Sequence, residues 1–230
     1  MAIAQLDLQP VLIEQVENRL IEAIVGGELV AGQRLTQESA AALLGVSRQP
    51  VSHALQALKR RGLLIEHGKR GLQVAPLDAG RIRDLYRVRA ALDGLAAETA
   101  AAQIAQGAAS PVAIDSLHAA FARGAALPAD ASMAERISSD VAFHNAIYGL
   151  SGNAAIAETV AAQWPHFMRS MSHVLDDGTI RERVWDEHAA ILGAILAKDG
   201  ARAGELARQH TLRAGDDTAL RLERAAQRSA

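Results

Sequence analysis

The chain has 230 residues, half of them hydrophobic, and a formal net charge of −2. It contains no cysteine, which excludes disulfide bonds and thiolate metal sites. No apolar run approaches the roughly 20 residues of a membrane-spanning helix, and the N-terminus lacks the charged and then apolar pattern of a secretory signal. Abundant alanine and only 3% aromatic residues favour closely packed helices. We therefore expect a cytoplasmic protein of one large or two small domains, without a membrane partner.

Two helices are predicted at the start of the chain. An apolar stripe predicts the first over about Pro10–Val25, and Gly26-Gly27 ends it. Thr36 can cap a second helix that carries Ala40 and ends near Leu44.

The next stretch has the features of a helix-turn-helix. Gly45 supplies the backbone freedom of a tight turn, and Ser47 can cap the following helix by accepting a bond from its first turn. That helix is predicted over about Arg48–Arg61, with an apolar stripe on one face. Its opposite face is polar and carries Arg48, Gln49, Ser52, His53 and Gln56. This pattern is typical of a recognition helix that enters the DNA major groove. An ordinary helical hairpin is the alternative.

A basic hairpin follows. Two short apolar runs, Leu63–Ile65 and Leu72–Val74, flank a glycine-rich turn and predict two β-strands. Lys69 and Arg70 lie at the tip, where they would reach phosphates or the minor groove; a solvated loop is the alternative. Between Gly45 and Ala75 six basic residues and one acid give +5, so the remainder of the chain carries −7. This distribution indicates a nucleic-acid-binding module joined to another domain.

Several short motifs occur in order along this segment. They are Gly27-Glu28-Leu29 with Gly32, Arg34 and Leu35; Leu44-Gly45-Val46-Ser47-Arg48 with Pro50-Val51; and Ala54-Leu55, Leu58, Gly62-Leu63 and Arg70-Gly71. Together they resemble the winged helix-turn-helix domain of GntR-type bacterial transcription regulators, which we place at residues 1–76. The resemblance implies a homodimer on a pseudo-palindromic double-stranded operator, with Arg48 reading a base edge, guanine above all. Relatives usually carry arginine where this chain has Glu38 and Ser52. Glu38 would repel a phosphate or accept a bond from a cytosine amine, and Ser52 reaches less far, so the operator sequences of relatives do not apply to this chain.

From residue 77 onward the sequence predicts an antiparallel all-α bundle, so the chain as a whole is mainly α. A long helix is predicted over about Ala79–Gln106, with four apolar residues facing inward: Ile82, Leu85, Val88 and Leu92. Further helices are predicted over about 112–126, 131–150, 153–175, 180–198 and 201–228. Pro165 lies inside one of them and should kink it. No strand pattern follows Val74.

Four residues of this bundle have side chains suited to metal binding. Asp140 and His144 are four residues apart and share a helix face, and His188 and His210 lie on two later helices. One carboxylate and three imidazoles suit a divalent transition metal with open coordination positions. A hydrogen bond between Asp140 and His144 is the alternative, and spacing alone does not decide between them.

Longer motifs surround these four residues. They are Arg83-Asp84-Leu85-Tyr86-Arg87-Val88-Arg89 with Leu92, Asp140-Val141-Ala142-Phe143-His144, Ser151-Gly152-Asn153, Glu187-His188, Ile191 and His210. Over about residues 80–215 they resemble the effector-binding domain of the fatty-acid-regulator subfamily of GntR proteins. The resemblance implies that Asp140, His144, His188 and His210 bind zinc or nickel beside a small organic-acid effector. For the rest of that effector the candidates are Arg169, His166, Arg89 and Asn145, while Glu187 is interpreted as a supporting or exposed residue.

Three functions fit this sequence. The first is a transcription regulator, more often a repressor, that responds to a small carboxylate. The second is a DNA-binding factor whose metal is purely structural, and the third is a metalloenzyme whose ion activates water. An enzyme offers no role for the winged helix-turn-helix, so we expect the protein not to be an enzyme.

Overall fold

The computed structural model describes residues 10–68 and 71–229, and they are mainly helical. The chain divides into two compact units, Met1–Leu77 and Asp78–Ala230. Within the described ranges, no helix combines the length and the apolar character needed to cross a membrane.

The first unit is a winged helix-turn-helix, as predicted. Its elements are α1 (Pro10–Val25), β1 (Arg34–Leu35), α2 (Gln37–Leu44), α3 (Arg48–Arg60), β2 (Leu64–His67) and β3 (Gly71–Val74). The strands form an antiparallel sheet in the order β1-β3-β2, in which Leu64 pairs with Val74 and Arg34 with Gln73. The sequence did not predict β1, because two residues are too few to leave an alternating pattern.

One apolar core joins the helices and strands of this unit. Leu20 of α1, Val51 and Leu58 of α3 and Val74 of β3 are all fully buried. The turn between α2 and α3 is made at Gly45, whose φ of 65° lies in the left-handed region that favours glycine. The core therefore fixes α3 with its polar face outward.

The two predicted N-caps of this unit differ. Thr36 caps α2 and forms a reciprocal capping box with Ser39. Ser47 occupies the N-cap position of α3, but its exposed side chain makes no bond to the first turn. The predicted capping bond of Ser47 is therefore wrong, although the predicted start of the helix is correct.

The second unit is all helical over its described residues. Its helices are α4 (Ala79–Ala105), α5 (Pro111–Ala125), α6 (Met133–Ser151), α7 (Ala154–Ala161), α8 (Trp164–Met171), α9 (Gly178–Leu196) and α10 (Gly200–Ser229). The single helix predicted over 153–175 is wrong, since α7 and α8 occupy that range. Pro165 lies in the first turn of α8, where its missing N–H removes no helical hydrogen bond. The proline therefore begins a helix rather than kinking one.

Helices α4 and α10 pack side by side over most of their length. Their contacts run antiparallel, because Tyr86 lies against Gly215 and Gly94 lies against Gly204. A Cβ atom on either Gly94 or Gly204 would stand 3.1 Å from the carbonyl oxygen of the other. Two glycines thus let the backbones approach closely, which brings polar residues of α4 against α10.

The buried face of α4 differs from the predicted one. Ile82 is buried, but Leu85 and Leu92 are only partly buried and Val88 is 60% exposed. The buried stripe contains Ile82, Tyr86, Arg89, Ala90, Asp93, Gly94, Ala96, Ala97, Ala100 and Ala101. Because this stripe contains small and charged residues, hydrophobicity alone placed the inward face incorrectly.

Candidate metal and effector site

Three buried histidines from three helices meet in the second unit. His144 lies on α6, His188 on α9 and His210 on α10, and each offers a ring nitrogen within 4.8 Å of the other two. The Nε2 atoms of His188 and His210 are 3.2 Å apart. Residues far apart in sequence are therefore close enough to share one ion.

Asp140 completes the group of four residues named from the sequence. Its Oδ1 lies 3.7 Å from His188 Nε2, and its Oδ2 lies 3.9 Å from His144 Nε2. Both separations exceed an ordinary hydrogen bond. The carboxylate thus borders the histidine cluster without bonding to His144, which argues against the simple hydrogen-bonded pair.

Burial favours the neutral form of two of these histidines, His144 and His188. Burial, with nearby Arg89 and the other histidines, holds the pKa of His144 well below its ordinary value. Burial, His210 and Arg89 lower the pKa of His188 in the same way. Burial raises the pKa of Asp140, and Arg89 and His210 oppose that rise. Neutral imidazoles are the form that binds a metal.

The donor set fits a divalent transition metal. Among the described residues, His144 Nε2 is buried and has no hydrogen-bond partner. An unpaired buried nitrogen costs free energy, and a bound ion would satisfy it. Three imidazole nitrogens and one carboxylate oxygen suit zinc and nickel.

Neighbouring side chains hold two of the histidine rings. Glu187 Oε2 lies 2.7 Å from His210 Nδ1, which favours the tautomer with the proton on Nδ1 and the lone pair on Nε2. Burial acts to raise the pKa of Glu187, but His210, Arg213 and Arg183 together lower it. Glu187 is thus bonded to His210 and largely buried, so of its two interpretations we propose the supporting one. Phe143 stacks on the His188 ring, with centroids 4.2 Å apart.

A buried ion pair borders the cluster. Arg89 Nε lies 3.2 Å from Asp93 Oδ2 in an ion pair that lacks hydrogen-bond geometry, and Asp93 accepts hydrogen bonds from Tyr148 and Thr211. The Arg89 guanidinium carbon lies 4.6 Å from the centroid of the Trp164 ring. Burial acts against the charge of Arg89, but Asp93 and other nearby groups outweigh it and raise its pKa.

A cavity of about 30 Å³ lies beside the histidines and is large enough for about two water molecules. Arg89, Asp140, His144 and His210 line it. Its remaining lining is largely apolar and includes Met171, Val174, Leu175, Ile180 and Val184. Among the described residues, Arg89 Nη2 is buried without a hydrogen-bond partner. The cavity is thus lined by three of the four candidate metal ligands and by an arginine that has an unpaired N–H group.

The other predicted effector residues lie elsewhere. Arg169 and His166 are buried on α8 but do not line this cavity, and Asn145 is exposed on α6. Of the four predicted effector residues, the structure brings Arg89 to the cavity.

The polar face of α3 is the candidate DNA interface. Arg48, Gln49 and His53 are exposed on it, and Ser52 is half-buried. Lys69 and Arg70, predicted at the wing tip, lie outside the described residues.

Comparison with known proteins identifies both units. The FCD domain family matches residues 84–213, and the bacterial regulatory proteins of the gntR family match residues 12–74. The chain is a DNA-binding GntR-family transcription regulator with an FCD effector domain. Over 86% of its length this GntR regulator is 27% identical to an uncharacterized HTH-type transcriptional regulator of Streptomyces ambofaciens, covering 81% of that protein.

Other similarities are shorter or structural. The GntR regulator is 38% identical to BphR of Paraburkholderia xenovorans over 36% of its own chain and 34% of that protein. Its fold is similar to that of E. coli McbR/YncC, with a TM-score of 0.75 and 21% identity, covering 93% of this chain and 98% of that one. The fold is also similar to that of a GntR regulator from Rhodococcus sp. RHA1, with a TM-score of 0.71 and 23% identity, covering 90% of this chain and 97% of that one.

Sequence reasoning missed two charged residues at this candidate site of the GntR regulator. Asp93 holds Arg89 in place, and its spacing of four residues from Arg89 on one helix was a usable signal. Arg183 also lines the cavity, but no sequence pattern distinguished it from other arginines.

Proposed function

We propose that this GntR regulator is a homodimeric, effector-responsive repressor whose FCD domain binds a divalent transition metal and a small carboxylate. Zinc or nickel is the proposed ion, and Asp140, His144, His188 and His210 are its proposed ligands. The observation that carries the proposal is one cavity lined by three of these residues, Asp140, His144 and His210, and by Arg89, whose Nη2 is buried without a hydrogen-bond partner.

The chain's own residues account for the selection of a carboxylate. When bound, the metal would supply positive charge and open coordination positions for an oxygen ligand. Arg89 adds a guanidinium, which suits a carboxylate because its N–H donors match the two oxygens. Asp93, four residues further along the same helix, forms a buried ion pair that holds Arg89 in place. The effector carboxylate would therefore displace no partner of Arg89 Nη2.

The size and lining of the cavity limit the effector. About 30 Å³ admits only a few atoms, so a larger acid requires the apolar side chains of α8 and α9 to move apart. A small acid with a short apolar portion fits this lining best. Arg169, His166 and Asn145 stay proposed effector contacts that such movement would have to bring to the cavity.

DNA recognition is assigned to α3 and the wing. Arg48 is proposed to read a guanine edge, because a guanidinium can bond to O6 and N7 together. The remaining proposed contacts are Ser47, Gln49, Ser52, His53, Glu38, Lys69 and Arg70. A homodimer would place one α3 in each half of a pseudo-palindromic operator.

A thermal-shift screen tests this function. The purified protein is heated with small carboxylic and sugar acids in three forms: as isolated, after chelation, and after zinc or nickel is restored. An acid at 100 times its Kd should add about 2.7 kcal/mol of stability, and only when metal is present. Chelation that lowers Tm while no acid responds would instead indicate a structural metal.

Two further outcomes would contradict the proposal. If chelation leaves Tm unchanged, the four residues do not hold a metal. If a stabilising acid is consumed during incubation, which chromatography of the mixture would detect, the protein is a metalloenzyme.

A further inference from the structure

Helix α2 contacts the polar face of α3 through its first two residues. Glu38 Oε1 lies 3.1 Å from Arg48 Nη2, and both side chains are largely exposed, at 77% and 67%. Beside this pair, Gln37 Nε2 donates to Ser52 Oγ over 3.1 Å. Two residues of the proposed DNA-reading face are thus bonded to α2 before DNA is present.

The Glu38–Arg48 pair opposes an unfavourable helix-end charge. Arg48 is the first residue of α3, where the helix dipole disfavours a cation, and the first turn of α3 contains no acid. Glu38 lies in the first turn of α2, where the dipole favours an anion. An exposed ion pair adds little to folding stability. We therefore expect the ion pair to affect DNA binding more than folding, because water is excluded where Arg48 meets the DNA.

We propose that Glu38 determines operator specificity by positioning Arg48. The inference rests on the proposed role of Arg48 as a reader of a base edge. A guanidinium has five N–H donors in one plane, so Arg48 can keep its bond to Glu38 and use other donors on a guanine. The carboxylate also repels phosphates, which disfavours binding modes in which Arg48 contacts only the DNA backbone.

A second acid on the same side of the domain provides a matched control. Glu66 of β2 pairs with Lys59 of α3 at 2.5 Å, and Glu38, Arg48, Lys59 and Glu66 line one open cleft. Glu66 carries the same charge as Glu38, but its partner is a lysine, a point charge without a planar fork. Neutralising Glu66 should alter the electrostatics of DNA binding without altering how Arg48 is held.

The test measures base discrimination with the whole 230-residue chain. An operator is first selected from randomised duplexes. The base pair that Arg48 reads is then identified as the operator position at which Arg48→Ala no longer prefers one base pair over the others. Kd values are then measured for duplexes with each of the four base pairs at that position. Glu38→Ala should reduce the preference about tenfold, within the range of one bidentate base contact, and should tighten binding to unrelated DNA. Glu38→Gln, which keeps an acceptor oxygen, should retain most of the preference.

The controls separate positioning from general repulsion. Glu66→Gln should tighten binding to all duplexes equally and leave the preference unchanged. In an Arg48→Ala background, Glu38→Ala should cause no further loss at that base pair. Thermal melts would show that the exposed variants stay folded.

Two results would overturn the inference in distinguishable ways. If Glu38→Ala tightens binding to every duplex equally, Glu38 is only a source of repulsion, and the role of Arg48 stands. If Arg48→Ala leaves every base preference intact, the proposed role of Arg48 fails, and the inference fails with it.

Discussion

One arginine–carboxylate pair in each unit shows how differently the fold can place the same kind of ion pair. In the winged helix-turn-helix the Arg48–Glu38 pair is exposed, and Arg48 protrudes from the folded core. In the FCD domain the Arg89–Asp93 pair is 3% and 2% exposed. An exposed charge is free to meet a polyanion, whereas a buried one must be held by the fold itself. We therefore expect the exposed pair of the winged helix-turn-helix to serve recognition alone. The buried pair of the FCD domain should serve both stability and recognition.

The largest expected effect comes from breaking the buried pair. Arg89→Ala leaves Asp93 as an uncompensated buried carboxylate, which typically costs about 3–5 kcal/mol of unfolding free energy. Arg48→Ala removes an exposed pair and should change stability by no more than about 0.5 kcal/mol. Urea unfolding of both variants measures the difference. Equal losses would mean that burial does not separate the two pairs.

Removal of one histidine should abolish metal binding in the FCD domain. We expect the wild-type protein to retain about one zinc or nickel per chain after dialysis, since one four-donor site holds one ion. His188→Ala should retain little, and the rise in Tm on metal addition should vanish. Elemental analysis provides the stoichiometry. His118→Ala, which removes an exposed histidine, is the control, and metal retained equally by both variants would refute the site.

Adding one methyl group at the close contact between α4 and α10 should lower the free energy of unfolding. Gly94→Ala places a Cβ 3.1 Å from the carbonyl oxygen of Gly204, and overpacking of this kind costs about 1–3 kcal/mol. At Gly193 of α9 nothing lies within 4 Å of an added Cβ, so Gly193→Ala should stabilise by up to about 1 kcal/mol. Chemical denaturation of the two variants should therefore give changes of opposite sign. A shared sign would contradict the packing described for Gly94.

The smallest effect is expected at the N-cap of α9. Bonds from Thr179, Arg221 and Ile180 lower the pKa of Asp177 to about 2. Because the folded pKa lies below the unfolded value of about 3.9, this contribution is present above pH 4 and is lost as pH falls toward 2. Asp177→Asn should therefore lower stability at pH 7 and have little effect near pH 2.

Denaturation curves across this pH range check the Asp177 prediction. Asp176→Asn, at a neighbouring carboxylate that is 85% exposed, should change stability little at any pH. A loss for Asp177→Asn that does not depend on pH would mean that its charge is not what stabilises the cap.

The same contrast in burial explains what the sequence could predict. Exposed residues of α3 follow from local rules, since Gly45 and the helical spacing after it define the polar face without distant contacts. The proposed metal ligands were named by residue type and by family resemblance, but their proximity depends on α6, α9 and α10 packing together. Local patterns also failed on α4, where burial of Arg89 and exposure of Val88 reverse the usual preference. There the partner helix, through Gly204 and Thr211, decides which face is inside.

We propose that the cavity with its metal ligands controls DNA binding. The most direct measurement is fluorescence anisotropy of the selected operator, titrated with metal-loaded and with chelated protein, each with and without the acid found by thermal shift. Coupling of this kind typically changes affinity about 5- to 150-fold. We predict a change of operator Kd within that range for the metal-loaded protein and none for the chelated protein. An operator Kd that is the same with and without the acid in the metal-loaded protein would contradict control of DNA binding by this cavity.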